Sequence, residues 1–329
     1  MLFRSVGWNN RGAIIAGYAS GSVSGNDYIG GFVGLNNGII STSYASGLVS
    51  GDDCVGGLVG QNTENGTIIT SYASGTVNGD DCIGGLVGWN FDGGIISTSY
   101  ASNAVSGTGD NVGGLVGWNE GTIITNYSSG SVRGNNIVGG LIGYNNGGTI
   151  STSYTSSAVS GNELAGGLVG LNFDEGIINN SYWLQDNAAN INTGLPGVGF
   201  ESYVTSTDVI PLNLAGMAAR ASFNAASWDF YGDPGVTSPD WCYTSFDNGA
   251  APALIAFFDL ASAPNFNRNN VDFIHIIPQS AEPQAGEVKQ QQPHHQQQSS
   301  PPDFKNLAGY GLLALVILGI VIFILRKKQ

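Results

Sequence analysis

An all-β solenoid, a stack of about seven three-strand coils of about 27 residues each, is the fold class this sequence predicts, and three observations carry it. The first is a repeated segment, Gly-Gly-Leu/Phe-Val/Ile-Gly-x-Asn, that begins at Gly30, Gly56, Gly84, Gly113, Gly139 and Gly166, with successive intervals of 26, 28, 29, 26 and 27 residues. The second is an Ile-rich run after each copy that ends in a tyrosine, giving Tyr18, Tyr44, Tyr72, Tyr100, Tyr127, Tyr154 and Tyr182. The third is composition. The 329-residue chain has 51 glycines and only 10% charged residues, against roughly 7% and 25% in ordinary globular proteins. Glycine in that excess, without a Gly-X-Y triplet, is glycine placed at fixed points of a repeating backbone.

Each repeat offers three short runs rich in Ile, Val and Thr, separated by Gly, Asn and Asp turn signals. Ile39-Ile40-Ser41-Thr42-Ser43-Tyr44 is a typical second run, and Gly47-Leu48-Val49-Ser50-Gly51 a third. One unit holds too little apolar surface for a core, so units must stack. Stacking at about 4.8 Å per coil places like residues above one another in columns. The motif glycines (Gly84, Gly85, Gly88 and their equivalents) then serve corners with positive φ or close backbone approach, and the sequence leaves both open.

These segments resemble the GLUG motif repeats. That resemblance spans residues 1–183 and implies a bacterial surface protein of the kind that includes filamentous adhesins and the non-catalytic parts of some IgA-specific metallopeptidases. It implies attachment, not a reaction. After Ser181-Tyr182-Trp183, the elements Leu214-Ala215-Gly216-Met217, Ser227-Trp228-Asp229-Phe230 and Trp241-Cys242-Tyr243 are similar to the closing segment of such arrays. Residues 184–262 are therefore expected to form a small C-terminal cap region.

Residues 263–306 are rich in Asn, Gln and Pro and are expected to form a flexible linker. Leu307 to Leu325 is an uncharged stretch of 19 residues, near the roughly 20 that cross a bilayer as a helix. Arg326, Lys327 and Lys328 follow in a basic tail, residues 326–329. That flank predicts a single-pass membrane protein with a cytoplasmic C-terminus and extracellular repeats. No Leu-Pro-x-Thr-Gly sorting signal precedes the helix. Met1 falls inside a repeat with no apolar leader before it; the expected reason is that the export signal and first coils lie upstream.

The net charge of −14 and the lack of Lys in the repeats exclude nucleic acid as a partner, because phosphate binding needs clustered Lys or Arg. An extracellular glycan or protein fits better. Enzymatic activity is not expected: His275, His294 and His295 are the only histidines, no His-Glu-x-x-His occurs, and the carboxylates lack a basic partner to stabilise an anion. No cofactor is expected, with one exception. Asp52, Asp53, Asp80 and Asp81 should align on one edge with Asp27, Asp110 and Glu163, where Ca²⁺ could relieve their repulsion; a solvated polar turn is the other reading.

Two further columns carry chemistry. Cys54 and Cys82 should stack in adjacent coils, as free thiols or as a disulfide. The position before the motif's Asn holds Trp8, Leu35, Gln61, Trp89, Trp118, Tyr144 and Leu171. Its rings at Trp89, Trp118 and Tyr144 are either a ligand platform or a stack that closes the side of the solenoid. Function therefore divides between an adhesin-like binding surface and a passive stalk of a larger surface protein.

Overall fold

The computed structural model describes residues 6–186, 191–213, 217, 241–243 and 252–254. Within them the chain winds as a parallel β-solenoid of about seven coils. Register follows the repeat: Val33, Val59, Val87, Val116, Ile142 and Val169 pair in sequence, as do Ile40, Ile68, Ile96, Ile123, Ile150 and Ile178. Both columns point inward and are fully buried. Leu58, Leu86, Leu115, Leu141 and Leu168 join them in one continuous core. A second core of Val49, Val77, Val105 and Val132 packs against Val55, Ile83, Val112 and Val138.

The sequence predicts three strands per coil, and the middle coils have four. Ile83–Gly84, Val112–Gly113, Val138–Gly139 and Ala165–Gly166 form a separate four-stranded sheet. These two-residue strands were hidden because they end inside the Gly-Gly pair, where the chain folds sharply back. A Cβ on Gly84 would lie 1.8 Å from the Val87 carbonyl oxygen, and one on Gly85 2.1 Å from the Gly114 oxygen of the next coil. The motif glycines therefore serve close approach, within the coil and between coils. Left-handed corners are instead occupied by side-chain-bearing residues, among them Thr42, Thr70, Thr98, Thr125 and Thr152 with φ of 46–58°.

A β-branched residue in that region is strained by about 1–3 kcal/mol. What holds it there is the buried residue that follows. Ser43, Ser71, Ser99, Asn126, Ser153 and Ser181 are inaccessible to solvent. Each receives the backbone N–H of its equivalent one coil earlier, as in Ser43 N–H to Ser71 Oγ (3.1 Å) and Ser99 N–H to Asn126 Oδ1 (2.9 Å). The serine hydroxyls donate in turn to a carbonyl two residues back, at 2.8 Å for Ser71 to Ile69. The corner thus has few unmet backbone groups despite its strain.

The motif asparagines form the longest polar ladder. Asn9, Asn36, Asn62, Asn90, Asn119 and Asn145 each donate from Nδ2 to the Oδ1 of the next coil's asparagine at 2.7–2.9 Å, and Asn172 ends the run by donating to Ser206 Oγ at 3.1 Å. The second Nδ2 proton caps a carbonyl of the asparagine's own turn, such as Gly94 for Asn90 at 3.2 Å. Tyrosines form a stack of their own, with Tyr44, Tyr72, Tyr100 and Tyr127 at centroid distances of 4.8–4.9 Å.

The ladder continues past the last full repeat. Val198–Ser202 pairs with Val169–Phe173, and Thr205–Leu212 pairs with Ile177–Leu184. Trp183 occupies the column that holds Ala45, Ala73 and Ala101 in earlier coils. It is 2% exposed and fills the interior above Gly167, whose added Cβ would meet the indole at 1.8 Å. Trp241–Tyr243 and Pro252–Leu254 form an antiparallel pair. The 263–306 linker and the Leu307–Leu325 span lie outside the described residues, among which no helix is long and apolar enough to cross a membrane.

Substituting Asn90 by Ala strands buried groups on two neighbouring coils and should lower stability by about 2–4 kcal/mol, read as a reduced denaturant midpoint. Gly84→Ala should prevent folding altogether, because the obstructing atom is backbone and cannot rotate away. A Gly84→Ala protein with an unchanged midpoint would contradict the assigned packing.

Candidate functional site

The aromatic column is where the sequence places it. Trp8, Leu35, Gln61, Trp89, Trp118, Tyr144, Leu171 and Phe200 occupy consecutive registered positions. Stacking at coil spacing turns ring faces toward one another: Trp89 and Trp118 lie 5.2 Å apart at 27°, and Trp118 and Tyr144 5.2 Å apart at 42°. Phe91 meets Trp89 edge-on at 5.3 Å. Trp89 is only 7% exposed, while Trp118 and Tyr144 are half-buried. The faces of Trp89, Trp118 and Tyr144 are therefore largely covered by one another, while Trp8 in the first coil is 59% exposed.

Glu120 joins the column and was not singled out from the sequence. It accepts from Trp89 Nε1 at 3.3 Å and from Asn146 Nδ2 at 3.2 Å, while Tyr144 donates to Asn146 Oδ1 at 3.2 Å. Three successive coils are thus tied by one polar network. Burial pushes the Glu120 carboxyl above its ordinary range, and the hydrogen bonds pull partly back. The available signal was positional, because other coils place Thr63, Phe91, Asn146 or Phe173 after the motif Asn.

The acidic edge also aligns. Asp53 and Asp81 are bridged in parallel register, and Asp52, Asp53, Asp80 and Asp81 are all exposed. Asp80 accepts from the Thr108 hydroxyl, Asp81 from the Asp110 backbone N–H, and Asp110 from Asn136 Nδ2 at 2.8 Å. Desolvation raises the Asp53 carboxyl, and Asp81 and Asp27 add to the shift. Asp110 is raised by the same cause, with the Asn136 bond opposing it. Among the described residues no group of three or more His, Cys, Asp or Glu is arranged to hold a metal ion.

Cys54 and Cys82 are free, buried and packed against Trp89, with Tyr28, Phe91 and Trp118 around them. A further surface feature lies on the Ile-rich sheet. Its central isoleucine faces inward, so the flanking positions face out. Ile15, Ile39, Ile69, Ile95, Ile124 and Ile177 stand there, 36–68% exposed, with Ser41, Thr67, Ser97, Thr122, Thr149, Ser151 and Asn179 between them. Each of these six coils contributes one isoleucine, and no charged side chain interrupts the strip. The period-two alternation of these runs was the signal that could have found it.

The model of the GLUG motif matches residues 51–78 and 79–106, two adjacent coils that include both cysteines and Trp89. No curated protein and no solved structure shows significant similarity to the chain. The chain is a repeat β-solenoid that carries the GLUG motif.

The raised carboxyls have a testable consequence. Glu120 and Asp110 hold a proton more firmly in the folded state than in the unfolded one. Their unfavourable contribution is full above the folded pKa and is relieved as pH falls through that value toward the unfolded one, near 4. The thermal midpoint should therefore rise as pH is lowered from 7 toward about 4.5, and Glu120→Gln with Asp110→Asn should flatten the dependence. A phenolate titration should also show Tyr72 and Tyr144 ionising only near 12, chiefly because burial disfavours the phenolate.

Proposed function

We propose that this protein displays its solenoid outside the cell and acts as an adhesin-like contact surface for a glycan or a protein. The observation that carries this reading is the uncharged strip of six exposed isoleucines on a flat, registered sheet. Apolar groups set among Ser and Thr along a registered face, with one gap at the Thr149–Ser151 coil, give many weak contacts at fixed spacing, as interaction surfaces use. The aromatic column supports the reading in a secondary way: Trp8 is exposed and Trp118 and Tyr144 are half-buried, while Trp89 serves mainly to close the wall. Anchoring rests on Leu307–Leu325 and its basic flank, which suit a single-pass span with the repeats outside. Calcium at Asp52, Asp53, Asp80 and Asp81 would stiffen the neighbouring edge, and a calorimetric titration without heat would remove it.

A passive stalk is the second reading, favoured by the unbroken Asn and Tyr ladders, which serve stiffness whether or not anything binds. Replacing Ile69, Ile95 and Ile124 together by Thr separates the two. Small hydroxyl residues already stand at the equivalent outward positions in neighbouring coils, Thr67 and Thr122 beside Ile95 and Ser41, Ser97 and Ser151 beside Ile69 and Ile124, so the fold should persist. On the adhesin reading, cells displaying the triple variant lose at least tenfold in attachment to a surface that captures the parent. Unchanged attachment would favour the stalk.

A further inference from the structure

Cys54 and Cys82 take no part in the contact surface, yet their placement is specific. Both sit at left-handed corners, with φ of 54° and 56°, one coil apart. The residues before and after them are bridged between the same coils, Asp53 to Asp81 below and Gly56 to Gly84 two positions above. Their N–H groups are committed to the Asp81 and Asp110 carbonyls at 3.0 and 3.1 Å. The backbone therefore fixes the two cysteines at the coil spacing, about 4.8 Å between equivalent atoms. The side chains are 6% and 7% exposed. Asn111 Nδ2 approaches Cys82 Sγ at 3.9 Å, and Trp89 packs against the pair.

This geometry suits a disulfide poorly. A disulfide needs Cβ atoms about 3.5–4.5 Å apart and a rotation that brings the sulfurs into bonding contact. Equivalent side chains on parallel, pinned strands instead keep their Cβ atoms near the coil spacing. An ion between the sulfurs fits better. A zinc–thiolate bond is about 2.3 Å, so an ion held by two bonds of that order bridges sulfurs up to about 4.6 Å apart, a reach that side chains rooted at the coil spacing can meet.

The surroundings select the ion. Zinc requires four ligands, and among the described residues no third His, Cys, Asp or Glu is placed to complete a set. Two soft sulfur donors in an otherwise aromatic wall match a soft monovalent cation that is content with two ligands. Trp89 lies in the same buried cluster, so its fluorescence reports on the pair.

We propose that Cys54 and Cys82 form a copper(I) site bridging adjacent coils beside Trp89. The ion arrives already as Cu(I) and undergoes no redox change: two Cu–S bonds form, two S–H bonds break, and both protons pass to solvent. The corner's other occupants supply clean variants, since Tyr28 and Asn111 fill the same position in neighbouring coils. Cys54→Tyr and Cys82→Asn should therefore leave the circular dichroism spectrum unchanged.

The test uses the reduced protein under anaerobic conditions in a Cys242→Ser background, titrated with the Cu(I)–bicinchoninate complex. The expected result is one copper withdrawn per chain with quenching of Trp fluorescence, and loss of both in the double variant. Cys54→Ser and Cys82→Ser repeat the measurement if either corner residue perturbs folding. Equal copper uptake by the double variant, no uptake by the parent, or a Cys54–Cys82 linked peptide in the native protein would each overturn the proposal.

Discussion

The structure depends on one constraint above the others: every coil must lie in register above the last. Core packing alone would not enforce it: it opposes a one-residue slip, which turns the inward Ile and Val columns outward, but a two-residue slip keeps the same face inward. The buried asparagine ladder does, because Asn36, Asn62, Asn90, Asn119 and Asn145 each meet both neighbours and their own turn. A slip of two residues would part those amides from their partners while they stay buried, at about 1–3 kcal/mol for each group. The Gly-Gly bends add a steric lock at the opposite wall, since only a hydrogen fits beneath the next coil's carbonyl. Polar specificity and backbone approach thus fix what hydrophobic burial leaves free.

Register then explains the surface. Once like positions stack, any side chain pattern on one coil becomes a stripe. Tyrosines become a ring stack, the turn carboxylates an acidic edge, and outward isoleucines an apolar strip. The stripes differ in how much they leave exposed. Rings at coil spacing consume one another's faces, so Trp89 ends up as wall material. Isoleucines on a sheet have no such partner and remain open to solvent. The same logic that builds the wall therefore moves the contact surface from the aromatic column to the aliphatic one.

Much of this was legible in the sequence, and the reasons are local. Fold class, coil length and the identity of each column follow from spacing alone, which is why the tyrosine and cysteine positions stack as the repeat implies. The fourth strand was not legible, since Ile83–Gly84 is too short to show periodicity and ends within a glycine pair. Nor was the role of the motif glycines, because positive φ and close approach both select Gly. The corners were misleading in a useful way: threonine at φ near 50° contradicts local preference, and only the buried Ser71 or Ser99 beside it explains why it is tolerated. Glu120 escaped notice because burial of a single carboxylate depends on what the next coil places over it.

The asparagine side chains, not the apolar core alone, hold the coils in register. Hydrogen exchange of the Asn Nδ2 protons, followed by NMR on the folded protein, tests it directly. Protection of the Asn62, Asn90, Asn119 and Asn145 amides comparable to that of the core strand N–H groups is the predicted result. Exchange of those amides at the rate of solvent-exposed side chains would contradict it.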